Sequence, residues 1–141
     1  IVFGDWSSDV CSSDLPQERL RAALVFSVDS CVIDTRNRLF TTGIFMLMQE
    51  DDDVRASWSR FYDAVRTFYV GLVESAQREG GLSKGDARRD VDLMLEAMEG
   101  LKLRAGFEPH IARPAERKAI VEGLMGVFRP VGGLARRATC A

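Results

Sequence analysis

One histidine, His110, stands in 141 residues, beside three cysteines and four prolines. That scarcity excludes much chemistry. A lone histidine between Pro109 and Ile111 has no second histidine or cysteine near it in sequence, so neither a zinc site nor a nucleophile–base pair is expected, and His110 reads as a surface-loop residue. Three cysteines without a secretory leader describe no disulfide framework; a reducing cytoplasm is expected. No glycine-rich phosphate loop occurs, because Gly80-Gly81 follows one helical pattern and leads into a cap. Runs such as Ile44–Met48 are far too short to cross a bilayer, so no membrane partner is expected. Strand-like alternation is lacking throughout. No enzyme activity, cofactor or metal is expected: the triplet Asp51–Asp53 reads as a helix cap rather than a cation site, and Glu96 and Glu99 read as a solvated helix face.

Charge of one sign is lacking too. The chain has 19 basic and 21 acidic residues. Asp5, Asp9 and Asp14 fall in residues 1–15, which hold no basic residue, so the remainder is close to neutral. Nothing in that balance marks a nucleic-acid or anionic-membrane surface.

Residues 1–15 stand apart. They read IVFGDWSSDVCSSDL, with Ser-Ser-Asp twice at a spacing too short for a structural repeat. The codons GAC GTG TGC TCT TCC GAT CT spell Asp-Val-Cys-Ser-Ser-Asp-Leu and resemble the end of a short-read sequencing adapter. The expectation is a translated, non-native leader joined to a truncated gene; a disordered native tail is the other reading. Folding is expected to begin at Pro16.

What is present is helix after helix. Pro16 suits a first helical position. Leu20, Ala23, Leu24, Ser27, Val28 and Cys31 then recur at helical spacing, which predicts a helix over roughly 16–34. A second, about 36–49, is apolar round most of its circumference and is expected to be buried. A third, 54–79, carries the stripe Val54, Trp58, Phe61, Val65, Phe68, Leu72 and Ala76, and Gly80-Gly81 ends it. Ser83–Asp86 resembles a capping box opening a fourth, about 86–106, which is apolar on two sides and so asks for a second partner. Pro114 opens a fifth, about 114–128. The fold class is therefore all-α: a single-domain antiparallel bundle of about five helices spanning 16–130, with 131–141 as a flexible tail.

Aromatic and methionine side chains gather on elements expected to face one another: Phe26, Phe45, Met48, Phe61, Tyr62, Tyr69, Met94 and Met98, with Met46 nearby. Each alone reads as ordinary core. Together they read as the wall of an apolar small-molecule site, where Met adapts to irregular shapes and Tyr offers a hydroxyl. No buried charge pair is expected there.

The long aromatic helix VRASWSRFYDAVRTFYVGLVESAQREGGLS and the following DVDLMLEAMEGLKLRAGFEP resemble the C-terminal half of TetR-type transcriptional regulators, the BetI-like variety nearest. Gln77–Gly80 and Met98-Glu99-Gly100-Leu101 match the family's turn and helix signatures, with Glu99 where Asp is commoner. PQERLRAALVFSVD suits the first long helix of that half. The likeness covers most of 16–128. It implies a sensor and dimerisation domain that binds an apolar effector and controls operator binding by an N-terminal helix-turn-helix domain. It also implies a homodimer through the last two long helices, with Leu93, Ala97, Gly100, Leu103, Ile120, Leu124 and Val127 at the interface. Ahead of Pro16, in place of the helix-turn-helix, stands the odd leader, so the chain as it stands is not expected to read operator DNA. A stand-alone all-α interaction or dimerisation module is the alternative.

Overall fold

The computed structural model describes residues 15–131. Among them five α-helices follow one another: α1 (Pro16–Val28), α2 (Thr35–Leu47), α3 (Asp52–Arg78), α4 (Ala87–Ala105) and α5 (Arg117–Val127). The described residues form an all-α bundle without a strand; one isolated bridge joins Leu82 to Pro130. Residues 1–14 of the proposed leader and all of the tail beyond Val131 lie outside the described residues.

Local chemistry sets the helix ends. Pro16 opens α1, and the helix continues past Val28 into a π-helical turn, Asp29–Ile33, closed by the Asp34 amide donating to the Asp29 carbonyl at 2.9 Å. Asp34 caps α2 by accepting from the Asn37 amide at 2.8 Å. Asp51 caps α3 through the amides of Asp53 and Val54 at 2.9 and 3.0 Å, with Asp52 and Asp53 at the positive end of the helix. Gly80, at φ 79°, ends α3: its amide donates to Gln77 and that of Gly81 to Ala76, the paired bonds of a Schellman turn. The opening of α4 differs from the expected capping box. Asp86 alone caps it, accepting from the Arg89 amide at 3.1 Å, while the Ser83 amide donates to Arg129. Likewise α5 begins at Arg117, after short 3-10 turns at Pro109–Ala112 and Pro114–Glu116.

The core is built around α1. Leu20, Leu24 and Val28 are fully buried, as is Val32 in the π turn. They pack on Tyr69, Val73 and Ala76 of α3 and, on the other side, on Val121, Met125 and Phe128 around α5. Val91, Met94, Leu95 and Met98 of α4 complete it. Ion pairs Arg21–Glu122 and Asp29–Arg117 run along the α1–α5 seam, and Arg66–Asp92 joins α3 to α4.

The expected burial of the second helix fails, and the length of α3 is the reason. At 27 residues α3 is about 40 Å long, and its N-terminal half runs beyond the core. Of its expected stripe only Ala76 is fully buried; Val54, Trp58, Phe61, Val65, Phe68 and Leu72 are half-buried. The overhang is where α2 sits, packed mainly against the π turn. Thr41 is the one buried residue of α2, and Leu39, Phe40, Met46 and Leu47 are 50–70% exposed. A helix apolar all round declares surplus apolar surface, not that its own chain covers it.

Among the described residues no helix is long and apolar enough to cross a membrane.

Candidate functional site

The overhang of α3 leaves a cavity of about 140 Å³ between α1, the π turn, α2, α3 and α4. Phe26 from α1, Phe61, Tyr62 and Tyr69 from α3, and Met94 and Met98 from α4 line it. The other two residues of the expected wall stand elsewhere. Phe45 lies behind the wall, and Met48, the C-cap of α2, turns its carbonyl to the Arg55 guanidinium at 2.8 Å. The mouth is open at Phe26 and Phe40, both substantially exposed.

Each tyrosine in the wall has its hydroxyl engaged. Tyr69 donates to the Ala23 carbonyl at 3.0 Å, so Ser27 donates to Tyr69 at 2.7 Å. Tyr62 donates to Oε1 of Glu99. Burial pushes both hydroxyls well above the usual tyrosine range, and for Tyr62 the Glu99 carboxylate adds to it. The Cys31 thiol, which the π turn presents to the cavity, is also pushed up by burial, against a smaller downward pull from Lys102.

Contrary to expectation, the cavity holds a buried charge pair. Lys102 is 6% exposed, and its Nζ lies 2.7 Å from Oε2 of Glu99. The contact is an ion pair, and Oε2 accepts no hydrogen bond among the described residues. Five side chains form a closed circuit around this end. Trp58 meets the Phe45 ring edge-on at 6.1 Å; Lys102 Nζ stands 5.4 Å over that ring; Lys102 pairs with Glu99; Glu99 accepts from Tyr62; and the Tyr62 ring returns to Trp58 at 6.2 Å. Within the circuit the Trp58 indole N–H is buried and has no partner among the described residues.

Glu99, Lys102, Trp58 and Cys31 were absent from the expected wall. Glu99 and Lys102, one turn apart, were open to inference: charges set into a helix apolar on two sides must face something other than plain core. Cys31 was not, because its direction depends on the π turn.

The opposite side of α4 carries a second feature, a shallow groove between α4 and α5. Ala97, Gly100, Ile120, Leu124 and Val127 line it. Leu93 and Leu103 stand on the outer side of α4, 53% and 66% exposed. A Cβ added at Gly100 would meet nothing within 4 Å, so this glycine serves no close approach inside the chain. Leu124 lines this groove while also packing into the chain's own core, 4% exposed.

His110 is exposed, and among the described residues no three His, Cys, Asp or Glu side chains are gathered as a metal site would require. No protein-family model, no curated protein and no solved structure matches the chain.

Proposed function

We propose that the chain is the effector-sensing and dimerisation domain of a TetR-type transcriptional regulator, a non-catalytic cytoplasmic homodimer. The observation that carries this is the double use of α4. Met94 and Met98 face an apolar cavity, while Ala97 and Gly100 face an apolar groove on the other side. An apolar effector in the cavity would press on the helix that meets the second subunit, and differential binding to two α4 positions is what couples one site to another. Operator DNA would be read by a helix-turn-helix domain joined ahead of Pro16.

Sedimentation equilibrium tests the dimer. The chain should sediment as a dimer, and Leu103→Glu should give a folded monomer; a monomeric wild-type chain sinks the reading. Sequencing genomic DNA upstream of the Pro16 codon tests the rest, an in-frame helix-turn-helix being expected. The alternative, a stand-alone interaction module, draws on the exposed Leu39, Phe40, Met46 and Leu47 of α2, and would follow if no such domain were encoded.

A further inference from the structure

The cavity's polar end has hydrogen-bond donors to spare. The Glu99 carboxylate is engaged by Tyr62 and Lys102. The Tyr69 and Ser27 protons are committed, and Thr41 donates to the Arg38 carbonyl at 3.0 Å. Beside them stand two donors with capacity to spare. The Trp58 indole N–H is buried without a partner among the described residues, and the Lys102 ammonium has three N–H groups with one carboxylate beside it. An unpaired buried donor is costly, so an acceptor that reaches it is favoured.

Charge narrows the class further. Glu99 and Lys102 offset one another inside a wall that is otherwise apolar. A carboxylate ligand would set two anions against one cation with little water to screen them, and an ammonium ligand would meet Lys102. A neutral acceptor disturbs neither. The rings of Trp58, Phe61 and Tyr62 lie within 4.9–6.3 Å of one another and favour a flat partner. A closed apolar cavity of about 150 Å³ admits benzene; this one, about 140 Å³ and open at its mouth, has room for one ring with a short substituent.

We infer that the effector is a neutral, flat, mostly apolar molecule bearing a carbonyl oxygen, held by the Trp58 N–H with Lys102 beside it. This rests on the effector-site reading above and specifies the ligand class.

Three planar probes of similar size separate the possibilities: acetophenone, α-methylstyrene (the same shape with a methylene for the carbonyl oxygen) and benzoate. Binding is measured by calorimetry on the full chain. Acetophenone should bind about tenfold or more tighter than α-methylstyrene. Trp58→Phe, which keeps a ring and removes the donor, should cut that preference to within about threefold. In ¹⁵N-edited spectra acetophenone, but not α-methylstyrene, should move the Trp58 indole proton downfield, the signal being assigned by its loss in Trp58→Phe.

Equal affinity for acetophenone and α-methylstyrene overturns the inference and leaves an apolar effector site standing. Tightest binding of benzoate overturns it in favour of a charge-reading site. If none of the three binds, both the inference and the effector-site reading fall.

Discussion

Tyr62 and Glu99 lie 37 positions apart on different helices, and the phenol of one donates directly to the carboxylate of the other. The bond ties the overhanging half of α3 to the middle of α4, and through Glu99 it reaches Lys102. This polar tie between α3 and α4 therefore also belongs to the cavity wall.

Tyr62→Phe keeps the ring and removes the donor. Hydrogen bonds to charged groups contribute about 1.5–3 kcal/mol, and Glu99 keeps 26% side-chain exposure, which favours the lower end. Urea denaturation should show a loss of about 1.5 kcal/mol with an unchanged m-value. No loss would mean the bond does not persist in solution.

Lys102→Met should be worse than Lys102→Met combined with Glu99→Gln. The single change strands a carboxylate in an apolar wall, at a cost of about 3 kcal/mol; the double change removes the charge as well. Chemical denaturation of the four corners of the cycle would show it. A double variant no more stable than Lys102→Met would mean that Glu99 is held mainly by Tyr62.

The chain has two tyrosines, Tyr62 and Tyr69, and both hydroxyls are held above their usual range. An acid whose folded pKa is raised contributes stability that is full below its unfolded pKa, about 10, and lost as pH rises through the folded value. The folded protein should show no phenolate absorbance at 295 nm near pH 11, with ionisation and unfolding then arriving in one transition. Ionisation of one tyrosine while the helical circular dichroism is intact would contradict this burial.

Leu24→Ala, at a fully buried α1 position, should cost about 2–5 kcal/mol in urea denaturation. Leu39→Ala, at a position 66% exposed, should change stability by less than about 0.5 kcal/mol. A large loss at Leu39 would reveal that α2 is covered in solution.

The periodicity of α1, the aspartate cap at Asp51 and the glycine stop after α3 could all be read from sequence, because each depends on chemistry within one or two turns. The outer face of α4 was readable for the same reason: Leu93, Ala97 and Gly100 follow helical spacing. What depended on distance was not readable. Whether α2 was covered turned on where α3 outran the core, and whether Glu99 was solvated turned on Tyr62, 37 residues away. Phe45 was assigned to the right neighbourhood and the wrong layer, since side-chain type does not say whether a ring faces a void or backs the residues that do.

The Asp29–Ile33 turn is wound one residue wider than the helix before it. Losing a single codon there would let the backbone close as an ordinary helix with its bonding intact and the flanking residues in register, while the side chains inside the turn would be re-aimed. Cys31 and Ser30 would leave the cavity without a helix being broken. The turn is thus a counting device, in which the number of residues matters more than their identity, and a route by which a related gene could acquire a differently shaped chamber in one step.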